Sequence, residues 1–173
     1  MREVAILGIG QTKIDEHWDR SLKDLAGEAV LAALKDAGLS GAEAIFVGNM
    51  MSGPANNQQH LGASIADWVG LRFSDAMHIE AACSSGSAAF RSALMAVASG
   101  EMDTAIAVGV EKMTDSPGEE ITADLATAAD ADWEVDMGLS FVALNALIMR
   151  RYLFEFFGPA DFSVKCGEKL TFC

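Results

Sequence analysis

Cys83 is the residue whose neighbours point to chemistry in this 173-residue chain. It lies in IEAACSSGSAAF, residues 79–90, where a β-prone run gives way to a helical one. At the start of a helix, backbone N–H groups and the helix dipole stabilise a thiolate. The same N–H groups can hold the oxyanion formed when a thiolate attacks an acyl group. Ala81, Ala82, Ser84, Ser85 and Gly86 are small and leave room for a thioester on a long arm. The competing reading is a packed free cysteine of an α/β core, and the residues alone leave both open.

Other chemistries find less support. Cys166 and Cys173 form no CxxC with each other or with Cys83, and no His/Cys ligand pattern accompanies them, so neither a metal site nor a disulfide framework is expected. His17, His60 and His78 each read as surface or structural residues; His78 is five positions before Cys83 on an expected strand, away from the helix start. Gly8-Ile9-Gly10 follows a β-prone run, but Lys13 occupies the third glycine position of a dinucleotide fingerprint, and no GK[ST] occurs. The acidic series Asp115, Glu119, Glu120, Asp124, Asp130, Asp132, Glu134 and Asp136 lacks calcium-loop spacing and reads as a solvated surface. No cofactor is expected.

The elements that must position Cys83 alternate. EVAILGI (3–9) reads as a strand, and Ser21 with Asp24 opens a helix that ends at Gly38. AIFVG (44–48), DAMHIEAA (75–82) and DTAIAVGVE (103–111) read as further strands, separated by helices over about 58–69 and 84–99. The 84–99 helix has almost no polar face, so it is expected between other elements; exposure of one side would drive association. Residues 112–136 read as a polar loop or cover segment, and a helix is expected over 138–157. The β-α-β-α-β-α-β order implies a largely parallel sheet with helices on both faces.

Composition closes several routes. Hydrophobic residues make up 51% and charged residues 21%, enough for an ordinary core. A net charge of -13 leaves no basic stripe for nucleic acid and no attraction to an anionic membrane. The start lacks a cleavage site, and the apolar run over 139–149 is too short to span a bilayer and ends in Arg150 and Arg151. An acidic, soluble, cytoplasmic α/β protein is expected.

EAACSSGSAAFRSALMAVASGEMDTAIAVGVEKMTD (80–115) resembles the nucleophile segment of the thiolase superfamily. VAILGIGQTK resembles the family's first strand, LKDLAGEAVLAALKDAGLS its first helix, and GLSFVALNALIMRRY (138–152) a helix of its loop domain. GVEKM and the last match resemble the archaeal and sterol-carrier-protein-x branch. The resemblance implies the N-terminal half of a thiolase-like fold, with a mixed, mostly parallel sheet, plus part of the loop domain. It divides the chain into a core half (1–111), a partial loop domain (112–157) and a tail (158–173). It implies an acetyl-CoA C-acetyltransferase or 3-ketoacyl-CoA thiolase in which Cys83 accepts the acyl group, acting on acetyl-CoA or 3-ketoacyl-CoA as a dimer or tetramer. The activating histidine, the oxyanion-positioning residue and the second cysteine that the family carries in its second half have no counterpart here. GPADFSVKCGEKLTFC resembles nothing in the family, so the loss of resemblance near Phe154 reads as a frameshift or truncated gene. Two alternatives remain. One is another condensing enzyme, of the 3-hydroxy-3-methylglutaryl-CoA synthase or ketosynthase III kind. The other is a non-catalytic module binding acyl-CoA or a partner subunit, with Lys112, Arg150 and Arg151 as the cations that would have to group around CoA phosphates.

Overall fold

The computed structural model describes the backbone of residues 2–169 and the side chains of residues 2–157; Cys173 and the side chain of Cys166 lie outside the described residues. The chain forms two compact units, Met1–Pro117 and Gly118–Cys173.

In the first unit, Ser21 caps helix α1 (Leu22–Ala37). Its Oγ accepts from the Asp24 N–H at 3.2 Å, and the Asp24 carboxylate accepts from the Ser21 N–H at 2.8 Å. This reciprocal box satisfies donors that a helix start leaves unpaired. Leu22, Leu25, Ala26, Val30 and Leu34 recur at helical spacing and are buried.

Strand β1 (Ala44–Gly48) is buried at every position. Helices α2 (Ser52–Asn56) and α3 (Leu61–Trp68) lead to β2 (Asp75–Ile79), and helix α4 (Ser85–Ser99) leads to β3 (Ala105–Gly109). The sheet is parallel in the order β2-β1-β3, with Gly48 opposite both Ile79 and Gly109. Burial on both faces explains the uninterrupted apolar run of β1. Ile45 and Val47 join Val30, Leu61 and Ile65 in one core, while Ala44 and Phe46 join Ala89 and Ala93 in the other. The chain therefore steps from β1 to β2 by α3 on one face, and back past β1 to β3 by α4 on the opposite face. Right-handed crossovers require that arrangement.

Three expectations need correction. The run over 3–9 is not a strand of the sheet: residues 2–14 carry no regular structure, and Ile6, Leu7 and Ile9 are exposed. Both edges of β1 are taken by β2 and β3, and the segment is held elsewhere. Arg2 bonds the Ala98 carbonyl through its N–H at 3.0 Å and pairs with Asp103 at 2.7 Å. Ile9 N–H donates to Asp36 at 3.0 Å. Gly8 and Gly10 press so closely on α1 that a Cβ on Gly8 would lie 2.5 Å from the Ala33 carbonyl. Second, α4 is buried on one side only; Phe90, Leu94 and Met95 on its outer side are exposed. Third, residues 112–136 are not all loop, since they contain helix α5 (Gly118–Ala126) and a wide helical turn over Ala131–Val135. Glu119 and Glu120 in the first turn of α5 complement its dipole, and Asp130 accepts from Trp133 N–H at 2.9 Å to start the wide turn.

In the second unit, α5 packs against helix α6 (Phe141–Lys169). No helix among the described residues is long and apolar enough to cross a membrane.

Candidate active site

The three parallel strands end together, and the candidate site is built on those ends. After Ile79, Glu80 and Ala81 lead into a single 3₁₀ turn, Ala82–Ser84, that runs directly into α4. Cys83 is the middle residue of this turn and is exposed. It thus sits just ahead of the first turn of a 15-residue helix, whose positive dipole end faces the strand ends.

The turn is held by its own backbone. Ala82 adopts φ 47, a left-handed conformation that costs a non-glycine residue of order 1 kcal/mol and persists only where the surroundings fix it. Here the Ser85 hydroxyl, 4% exposed, does the fixing: it accepts from Ala81 N–H at 2.9 Å and donates to the Ala82 carbonyl at 2.7 Å. Ser84 N–H adds a bond to the Ala81 carbonyl at 3.0 Å, and the Glu80 carboxylate accepts from Ala82 N–H. Beneath the turn, Gly48 lets α4 approach the strand ends: a Cβ there would lie 2.7 Å from the Gly86 nitrogen. A Cβ on Gly109, its partner across the ladder, would lie 3.6 Å from the Gly86 Cα. The small residues around Cys83 therefore serve close backbone packing as well as access.

A second cluster joins the strand ends from the β1 side. Asn49, 2% exposed, follows β1 directly. Its Nδ2 donates to the Glu111 carboxylate at 2.6 Å and to the Val110 carbonyl at 2.7 Å, and its Oδ1 accepts from Ser52 N–H at 2.8 Å. Glu111 also accepts from Met50 N–H at 3.0 Å and Met51 N–H at 3.3 Å. His78 Nε2–H donates to the Asn49 carbonyl at 3.0 Å. Sequence reasoning passed over Asn49 and Glu111. The available signal was a polar residue one or two positions beyond the glycine that ends each of two apolar strands, Asn49 after Gly48 and Glu111 after Gly109.

The other histidines lie elsewhere. His17 bonds the Lys13 carbonyl at 2.8 Å, and His60 precedes α3 with φ 56. Lys112 is buried and pairs with Asp115 at 2.6 Å, while Arg151 pairs with Glu155 at 2.7 Å within α6. Among the described residues no group of His, Cys, Asp or Glu could hold a metal ion. A cleft of about 320 Å³ is lined by Ser21, Lys23, Asn56, Gln58 and Asp115 among others, and no residue of the Cys83 turn lines it.

The structure thus holds an exposed cysteine in a strained turn between a strand of a parallel sheet and the helix that follows it. Residues 4–147 match the family description "Thiolase, N-terminal domain", and the chain belongs to the thiolase family. It is 47% identical over 158 residues to an acetyl-CoA acetyltransferase of Methanothermobacter thermautotrophicus, covering 90% of this chain and 41% of that protein. An acetyl-CoA acetyltransferase of Methanocaldococcus jannaschii is 42% identical over 158 residues, covering 90% and 40%. The chain thus spans about two fifths of these relatives' length. A crystal structure of 3-oxoacyl-[acyl-carrier-protein] synthase III from Aquifex aeolicus VF5 matches 50% of this chain and 28% of its own, at 21% identity and a TM-score of 0.46.

Proposed function

We propose that this chain carries the acyl-accepting part of a thiolase-type acetyl-CoA acetyltransferase, with Cys83 as the nucleophile. The observation that carries this reading is the exposed Cys83 in a 3₁₀ turn at the mouth of α4, in a chain of the thiolase family. The Cys83 thiolate attacks the carbonyl carbon of acetyl-CoA, the C–S bond to coenzyme A breaks, and the departing thiolate takes up a proton. Cys83 is left as an acetyl thioester. The N–H groups of Ala82 and Ser84 are already bonded within the turn, so the Cys83 N–H is the turn's donor to the intermediate oxyanion.

Condensation asks for more: a base to remove a methyl proton from a second acetyl-CoA, and a second oxyanion site. General acid–base help is worth about 10²–10⁴-fold and an oxyanion donor about 10²–10³-fold. The purified chain is therefore expected to accept acetyl groups without measurable acetoacetyl-CoA synthesis or cleavage. In this reading residues 1–111 are the core half, 112–157 part of the loop domain and 158–173 a tail. Acetyl-CoA or 3-ketoacyl-CoA is the substrate, the protein is cytoplasmic, and it works as a homo-oligomer. The test is incubation with acetyl-CoA followed by peptide mapping: an acetyl group on the Cys83 peptide, absent in Cys83→Ser, supports the reading. Robust acetoacetyl-CoA cleavage by the purified chain would contradict the half-reaction assignment.

A further inference from the structure

The strongest arrangement that the acyl-transfer chemistry leaves unused is the carboxylate of Glu111. It is solvent-exposed, yet it collects three N–H donors from one loop: the Asn49 side chain, Met50 and Met51. Asn49 is itself nearly inaccessible and extends the contacts to Val110 and Ser52. A carboxylate hydrogen bond of this charged kind is roughly twice as strong as a neutral one.

The loop that Glu111 gathers touches the Cys83 turn by two routes. Through the ladder, Asn49 N–H donates to the Ile79 carbonyl at 3.2 Å and the Asn49 carbonyl receives His78 Nε2–H, so the end of β2 is fastened to Asn49 just before the chain turns toward Cys83. Through packing, Gly48 lies hard against the Ser85–Gly86 backbone, the base on which the turn stands. Val110 N–H closes the circuit by donating to the Gly48 carbonyl at 3.1 Å. Removing the carboxylate takes one acceptor from the Asn49 amide, which keeps its bond to Val110, and leaves the Met50 and Met51 N–H groups without it at the point where the strand ends meet.

We propose that Glu111 is a positioning residue: with Asn49 it clamps the ends of β1, β2 and β3 and so sets the placement of Cys83 for attack. This rests on Cys83 being the acyl acceptor. Glu111 does not touch the reacting atoms, so its effect is on geometry. A misplacement on the order of 1 Å can cost about 10²-fold in rate.

The experiment measures two rates on the full chain, Cys83 alkylation by iodoacetamide and Cys83 acetylation by acetyl-CoA, at a temperature where circular dichroism shows each variant folded. Glu111→Ala and Glu111→Gln are expected to slow acetylation by about 10- to 10²-fold while changing alkylation much less, because a small reagent tolerates a displaced thiol. Asn49→Asp should be equally slow, since it places two carboxylates together. Asn49→Asp combined with Glu111→Gln reverses donor and acceptor and is expected to recover part of the acetylation rate. Slowed acetylation in folded protein whose alkylation rate barely moves, with recovery in the double variant, is a pattern that mere loss of stability does not produce. Equal acetylation rates in folded wild type and Glu111→Gln, or a double variant no faster than Asn49→Asp alone, would overturn the proposal. Should wild type itself take no acetyl group while Cys83 alkylates normally, the acyl-acceptor reading fails, and amide hydrogen exchange at Ser84–Gly86 decides the clamp separately: faster exchange in folded Glu111→Gln supports it and equal exchange overturns it.

Discussion

Cys83 was singled out by its small neighbours, and the structure gives those neighbours a second task. Ser85 stitches the strained Ala82, and Gly86 meets the strand ends at contact distance. Capping residues can be read in the same way at Ser21 and Asp24. The Ser21 hydroxyl, then the Ser21 N–H, hold the Asp24 carboxyl below its ordinary value. A carboxylate favoured in the folded state stabilises it fully above the unfolded value, about 3.9, and the contribution is lost as pH falls through the lower folded value. Ser21→Ala is expected to cost about 1 kcal/mol at neutral pH. The difference in melting temperature between wild type and Ser21→Ala should shrink as pH drops below about 4. A difference that grows on acidification would contradict this.

At the scale of elements, α1, β1, β2, α4 and β3 were all legible: the two helices end at Gly38 and Gly100, and the three strands are short runs rich in apolar residues between them. Three features were not. The 3–9 run has strand composition, but composition names no partner; Arg2 and the pressed glycines Gly8 and Gly10 send it to α4 and α1 instead. Helix α5 was hidden by its acidic, weakly periodic sequence. The Asn49–Glu111 clamp joins residues 62 positions apart, a pairing visible only once β1 and β3 lie side by side. That adjacency also makes Gly48 sensitive. Gly48→Ala would force the Ser85–Gly86 backbone away from β1, and overpacking of this kind costs about 1–3 kcal/mol. Urea unfolding should show that loss, with slower Cys83 acetylation in the folded variant. An unchanged midpoint would mean that α4 can move off the sheet freely.

For the whole molecule, the first unit leaves the outer edges of β2 and β3 without a strand partner among the described residues, and α4 exposes Phe90, Leu94 and Met95. In the second unit α6 exposes Val142, Ile148, Tyr152 and Phe154. Unpaired edges and exposed apolar faces favour self-association. The chain is expected to sediment as a dimer or larger species, and a well-behaved monomer at micromolar concentration would contradict this. The net charge of -13 sets a repulsion that such contacts must overcome, so association should strengthen with added salt.

The most direct test of the central claim is the distribution of acetyl groups among Cys83, Cys166 and Cys173 after brief exposure to limiting acetyl-CoA, read by peptide mapping. Acyl acceptance at the strand-to-helix turn predicts that Cys83 takes the label first and that Cys83→Ser abolishes it, with the other two cysteines unlabelled on the same timescale. Label that appears first on Cys166 or Cys173, or that persists in Cys83→Ser, would contradict it.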